Sequence, residues 1–450
     1  METFAIKKKE AEPQKPVIVQ KAPDSISGTE IPALDRRTQY VDPLVFGNEG
    51  NDNHLQLLFT EIAEQDNISD ILIIPGYPVL VKKKRRGLKS ITYRIMQQHE
   101  CEYIARKLTG NKTFLINISE GKCLSGQAKM LDGNIVSDED YEKRAKQFAE
   151  SKRRRFRYEI TGCASAINEN SFSVILRPLA DEPTPYYELG MTKELVLDCI
   201  VPNGIVIISG ATGEGKSTTL AAIYRYISEE DTLIKGILLT HEDPIEINYD
   251  SINRRSKHSV VIQSSIGPGQ NILTFHDANR SAMRRSPDAV MVGELRDFST
   301  VDAAIELSNT GHPAFATTHA SNVPAILPRL ISLFPESIQQ QKALELADTI
   351  RILISQKLIE DVNGKMFAVR EILKFTPALR DYLKKNAKNP DDMVRKIKMI
   401  IRHGKFGAIS FEAQGKQLLA EGKINLASYR HLVEESEELS KEEIEELNSY

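Results

Sequence analysis

The sequence has 450 residues, 41% hydrophobic and 27% charged, enough for about two to four compact domains, each with its own core. Its formal net charge of −3 excludes a general pull onto nucleic acid or an anionic membrane, so either contact would need a local basic patch. Four scattered cysteines (Cys101, Cys123, Cys163 and Cys199) form no CxxC pair, which argues against a thiolate zinc site or a disulfide scaffold and fits a reducing compartment.

The amino-terminal METFAIKKKEAEPQKPVIVQ is basic but has no apolar run behind it, unlike a signal peptide. Residues 1–50, rich in Lys, Glu and Pro, read as a disordered extension. No segment approaches the roughly 20 apolar residues that span a bilayer, so the expectation is a cytoplasmic protein, or one attached to a membrane only through partners. Order is expected from His54, where Leu55, Leu58, Phe59 and Ile62 share one helix face. SDILIIPGYPVLVKKKRRGLKSITY then gives three strand-like segments separated by a Pro/Gly turn and a basic turn ending at Gly87. A helix over Met96–Leu108 and strands in RRRFRYEITG and SFSVILRPL complete a small α+β domain over residues 51–180. Pro178, Pro183 and Pro185 mark residues 181–200 as a stiff linker.

From Gly204 short apolar strands (IVIIS, GILLT, AVMV and AFATT) alternate with helices, the pattern of a parallel α/β core over residues 201–376. LISQKLIEDVNGKMFAVREIL adds two strands around an Asn-Gly turn. Residues 377–450 read as a helical region ending in the acidic EESEELSKEEIEELNSY.

The chemistry starts at ISGATGEGKSTT, where Gly210, Gly215, Lys216 and Ser217 complete GxxxxGK[ST] between an apolar strand and an amphipathic helix. Such a loop (Gly210, Ala211, Thr212, Gly213, Glu214, Gly215, Lys216, Ser217 and Thr218) turns backbone N–H groups and a helix amino terminus toward ATP phosphates. Lys216 supplies the mobile charge and Ser217 a hydroxyl for Mg²⁺, with Glu242 a second metal candidate. Hydrolysis needs a group that activates or orients water. DAVMVGELRD ends a strand in Glu294, the expected general base, although a lone strand-end glutamate is usually just exposed. THEDPIE puts Glu242 and Asp243 at another strand end, and TGHPAFATTHAS puts His312 before a strand and His319 after it. Carboxyl ends of parallel strands line the ligand crevice, so Glu242, Glu294 and His319 are expected to converge there.

In this order GATGEGKS, THEDPIE, AVMVGELRD and TGHPAFATTHAS resemble the Walker A loop, Asp box, Walker B strand and His box of the secretion ATPase superfamily, the hexameric motors of type II and type IV secretion and of type IV pili. The likeness extends over roughly residues 54 to 430, and within the superfamily RRRFRYEITGC, RPLADEPTP and MVGELRDFSTVDAAIELSNTGHP point to the type IVB (Dot/Icm) and I-type conjugal transfer branch. It implies a RecA-like P-loop NTPase core, a PAS-like amino-terminal domain, a homo-hexamer and inner-membrane secretion or transfer components as partners. It further implies that amino-terminal arginines reach the nucleotide; matched residue by residue, Arg157 and Arg177 take that role, with Arg155 in reserve. Arg296 is expected to stabilise a subunit contact. PALRDYLKK matches the signature of the pilus-retraction branch only in part, and the lack of CxxC separates the chain from pilus-assembly relatives.

Two other readings stay open on the sequence: a retraction motor for a conjugative pilus, which would share every active-site residue, and a nucleic-acid translocase. The basic KKKRR (Lys82 to Arg86) and KRRRFR (Lys152 to Arg157) favour the latter, but lack the aromatic interleaving of a single-strand groove.

Overall fold

The computed structural model describes residue 58 and residues 68–83, 87–92, 95–131, 134–136, 153–164, 170–180, 182–268, 270–387 and 389–433. The proposed extension over residues 1–50, most of the first expected helix and the acidic tail from residue 434 lie outside them. The chain divides into two compact units, Met1–Leu179 and Ala180–Tyr450.

The first unit is an antiparallel sheet carrying helices. Its strands are β1 (Ile68–Ile73), β2 (Leu80–Lys83), β3 (Gly87–Ser90), β4 (Leu124–Leu131), β5 (Asn134–Val136), β6 (Arg153–Cys163) and β7 (Ser171–Leu179), in the order β3-β2-β1-β7-β6-β4-β5. Alternation decides which face is buried. Phe156, Tyr158 and Ile160 of β6 and Phe172, Val174 and Leu176 of β7 pack with Ile104, Ala105 and Leu108 of the helix Gln98–Thr109. The intervening residues, Arg157 and Arg177 among them, stand on the opposite face.

The second unit holds β8 (Gly204–Ser209), β9 (Gly236–Glu242), β10 (Ser259–Ser265), β11 (Ala289–Glu294), β12 (Pro313–Thr318), β13 (Ile350–Glu360) and β14 (Met366–Lys374). Their order is β10-β9-β11-β12-β8-β13-β14, parallel except for the β13–β14 hairpin. Every residue of β8 and β12 is buried, as a central strand covered on both faces requires. Successive residues serve opposite cores: Ile205, Ile207, Val290 and Val292 join one cluster, and Val206, Ile208, Ala289 and Met291 the other. The expected Asn-Gly turn closes the hairpin, with Asp361 Oδ1 accepting from the N–H groups of Asn363 and Lys365, both at 2.8 Å.

Several elements differ from what the sequence predicts. β4, β5 and β10 are not among the expected strands; SVVIQSS of β10 forms an edge strand whose burial is irregular rather than continuous. The stretch expected as a linker is packed: after a 3₁₀ turn at Tyr186–Leu189, the helix Lys193–Cys199 starts on the Thr192 hydroxyl, which accepts from Leu195 N at 3.2 Å. It buries Leu195, Val196 and Cys199 in a core of the second unit. Apolar spacing outweighs the prolines before it.

The helices Pro377–Asn386, Pro390–His403, Phe411–Ala420 and Leu426–Val433 form the carboxy-terminal region. Thr376, Asn389 and Ser410 cap the first three through their side chains.

Candidate active site

The loop after β8 is shaped by three glycines in left-handed or otherwise glycine-favouring conformations, Gly210 (φ 152°), Gly213 (φ 87°) and Gly215 (φ 78°). A β-carbon at Gly210 would lie 2.5 Å from the carbonyl oxygen of Gln356. Gly215 starts the helix Lys216–Glu229 without a side-chain cap, so the first-turn N–H groups are left for a ligand. Lys216 is buried, and its Nζ donates to the carbonyls of Gly210 at 2.9 Å and Ala211 at 3.1 Å. Burial lowers the pKa of this ammonium, against the pull of Glu294, Glu214 and Glu246. Thr212 and Ser217 are exposed. Glycines that let backbone approach, an uncapped helix start and an ammonium donating to neutral loop carbonyls fit a nucleoside triphosphate. Among the described residues no group of three or more His, Cys, Asp or Glu could hold a metal. A magnesium ion would be held by the Ser217 hydroxyl together with phosphate oxygens and water.

Strand order explains what stands beside the loop. β12 lies between β11 and β8, so the residue following β12 falls between the end of β11 and the phosphate loop. That residue is His319. Its Nδ1 is 3.5 Å from Lys216 Nζ and its Nε2 is 3.4 Å from Glu294 Oε1. Burial and then the Lys216 charge push the imidazole pKa down, with Glu294 opposing. A neutral ring whose proton is assigned to Nε2 suits both neighbours, accepting toward the ammonium and donating toward the carboxylate. Glu294 is about one-third exposed, which leaves its carboxylate open to water. Its strand end is fixed by Thr317, whose hydroxyl donates to Gly293 O at 2.6 Å.

The Asp-box residues separate. Glu242 is tied inward, its Oε1 accepting from Thr240 Oγ1 at 2.7 Å and Gln263 Nε2 at 3.0 Å, and burial raises its pKa. Glu246, four residues later, is the carboxylate of this motif that acts on the Lys216 charge. The sequence reading passed over it; the third carboxylate of THEDPIE was the available signal. Arg296 reaches Asp243 at 3.1 Å within the same chain and lies over the Phe275 ring. His312 stays at the turn before β12, its Nδ1 3.1 Å from Thr310 Oγ1.

A bracket from β13 completes the loop and had no sequence signal. Gln356, fully buried, accepts at Oε1 from Thr219 Oγ1 and from Arg370 Nε, both at 2.8 Å, and its Nε2 donates to the Glu214 carbonyl. The Glu214 carboxylate accepts from Leu358 N. Arg370, also buried, donates to the Leu189 carbonyl at 3.0 Å, and its desolvation brings its pKa down to about 10.

In the first unit, Arg157 and Arg177 are direct cross-strand partners on β6 and β7. Like charges in that register repel. Asp70 offsets this, with Oδ1 at 2.8 Å from Arg177 Nη2 and 2.9 Å from Nε. Arg155 is buried on the same strand, opposite Leu179.

A family model described as "Type II/IV secretion system protein" matches residues 151–444. The type IV pilus retractation ATPase PilT of Pseudomonas aeruginosa is 31% identical over 305 residues, covering 66% of this chain and 83% of that protein. The type IV pilus ATPase PilU of the same organism is 29% identical over 290 residues, covering 63% of this chain and 72% of that protein. Among solved structures, the Yersinia pseudotuberculosis ATPase DotB is 31% identical with a TM-score of 0.77, covering 91% of this chain and 100% of that chain. The Legionella pneumophila ATPase DotB is 26% identical with a TM-score of 0.72, covering 90% and 99%. The first unit follows the α+β pattern and the second the parallel α/β pattern read from the sequence, and with the phosphate loop these similarities establish that the chain belongs to the type II/IV secretion ATPase family, on a RecA-like core.

Proposed function

We propose that the chain is an Mg²⁺-dependent, ATP-hydrolysing motor, assembled as a homo-hexamer, that powers a type IV, IVB-like secretion or conjugative transfer apparatus. The observation that carries the activity is the line of contact from Lys216 through His319 to Glu294, beside an open phosphate loop. Lys216 exchanges its two loop carbonyls for phosphate oxygens, which are stronger, charged acceptors. Glu294 takes or orients the proton of the attacking water. Neutral His319 touches both groups, so it is placed to relay the state of the phosphate end to the base. When bound, the metal neutralises charge on the β- and γ-phosphates, and Ser217 would hold it, with Glu242 the second candidate ligand. Arg157 and Arg177 supply further positive charge to the transition state.

The likeness to the two DotB structures supports the IVB-like assignment, and location at the inner membrane through partners follows from it. Among the described residues no helix is long and apolar enough to cross a membrane. The 31% identity to PilT favours a second reading, pilus retraction. Deleting the gene and scoring secretion, plasmid transfer and piliation in parallel separates the two: a defect confined to pilus disassembly selects retraction.

Glu294→Gln tests the activity. Turnover is expected to fall by about 10²- to 10⁴-fold with ATP affinity nearly unchanged. If turnover survives in this variant and is lost in Glu246→Gln, the base is Glu246 instead.

A further inference from the structure

The second unit contains a cavity of about 500 Å³ outside the phosphate loop, walled by the segment after His319, by β13 and β14, and by the carboxy-terminal helices. Its size is that of a small-molecule site. Three cations line it, Lys357, Lys398 and Arg402, against two carboxylates, Glu371 and Glu412. Both carboxylates are engaged elsewhere. Glu371 accepts from Val323 N at 2.7 Å and Phe411 N at 3.3 Å, and Glu412 pairs with Lys416 at 2.6 Å. Among the described residues Lys357 meets a neutral carbonyl, that of Leu432 at 3.2 Å, and the face of the Phe411 ring. Arg402 Nη2 is buried and has no hydrogen-bond partner among the described residues. A guanidinium N–H withdrawn from water normally finds an acceptor, so this one marks where an acceptor belongs. Ile401, Phe411 and Leu432 give the wall an apolar side.

The cavity is joined to the phosphate loop by adjacent residues. Lys357 follows Gln356, and Glu371 follows Arg370, the two side chains that bracket the loop. Ser321, also in the wall, lies two residues after His319. An occupant that shifts β13 or β14 therefore acts on the backbone that contacts Gly210.

We propose that this cavity is an effector site for a small amphiphilic organic anion, its acidic head on Arg402 and Lys398 and its apolar body against Ile401, Phe411 and Leu432, and that its occupancy changes nucleotide affinity. The coupling rests on the ATPase reading; the binding does not.

The probe is 1-anilinonaphthalene-8-sulfonate titrated into the full chain, with neutral N-phenyl-1-naphthylamine as the control for charge. One saturable site per chain is expected, weakened about tenfold or more by Arg402→Gln and partly restored by Arg402→Lys. Saturating ADP should leave the probe bound but change its affinity by about fivefold or more, and the probe should change ADP affinity by the same factor. Equal binding of the neutral compound, unchanged affinity in Arg402→Gln, displacement by ADP, or no mutual effect of the two ligands overturns the proposal. Should Arg402→Gln lose its circular dichroism signal, Lys398→Gln reads the same head-group contact. A chain that binds the sulfonate at this site but no nucleotide at all sinks the ATPase reading while the cavity's assignment as an anion site stands.

Discussion

His241 precedes Glu242 on β9 with no surface in contact with solvent. Its Nδ1 is 3.3 Å from Asn279 Oδ1, and Nε2 has no partner among the described residues. The ring is therefore neutral, donating from Nδ1, with an acceptor left over at Nε2; burial pushes its pKa down to about 4, more than the Asn279 contact raises it. The sign for stability follows directly. Below the unfolded value of about 6.5 the unfolded chain takes up a proton that the native chain refuses, so acid favours unfolding. This contribution is intact above pH 6.5 and is lost as pH falls toward 4. Between pH 7 and pH 5 the loss from His241 alone is about 2 kcal/mol. Denaturant unfolding at those two pH values should show His241→Gln losing about 2 kcal/mol less than the unaltered chain. Equal losses would mean that the native ring titrates normally.

The phosphate loop is held from two sides, by the helix it begins and by β13, and its glycines are needed for different reasons. An added β-carbon at Gly213 meets nothing within 4 Å, so alanine there carries only the backbone cost of its positive φ. At Gly210 the same atom also collides with the carbonyl of Gln356, a residue set in register with Arg370 of β14 directly after the Ser355–Ser209 pairing with β8. Gly210→Ala should therefore weaken ATP binding about tenfold to a hundredfold, through strain of about 1–3 kcal/mol, and more than Gly213→Ala does. Calorimetric titration of both variants checks it; equal losses would remove Gln356 from the argument. The contrast also shows what sequence could carry. β8, β9, β11 and β12 were readable because central parallel strands are continuous apolar runs, whereas β10 sits at an edge and the helix Lys193–Cys199 hides behind prolines. Glu294 and His319 were readable as strand-end polar residues, but their meeting depends on strand order, which differs from chain order. Gln356 takes its role from neighbours distant in sequence, and no motif spacing announces that, whereas Glu246 is visible as the third carboxylate of THEDPIE.

At the scale of the whole molecule, the phosphate loop, Glu294 and His319 belong to one unit and the cross-strand pair Arg157 and Arg177 to the other. Arg157 and Arg177 stand in direct register, and Asp70 offsets the charge of Arg177. In the proposed motor this pair meets the transferring phosphoryl group. Arg157→Ala should then keep ATP binding and lose turnover by about 10³-fold, the low end for a transition-state arginine. Mixing decides whether the arginines serve their own chain or a neighbour. Arg157→Ala and Lys216→Ala chains are each inactive alone. If each site in a ring takes its phosphate loop from one chain and its arginines from the next, an equal mixture regains about a quarter of the unaltered turnover, because that share of neighbours combines the two intact halves. If the arginines act only on the loop of their own chain, every chain in the mixture carries a defect in its own site and phosphate release stays at the level of the separate variants.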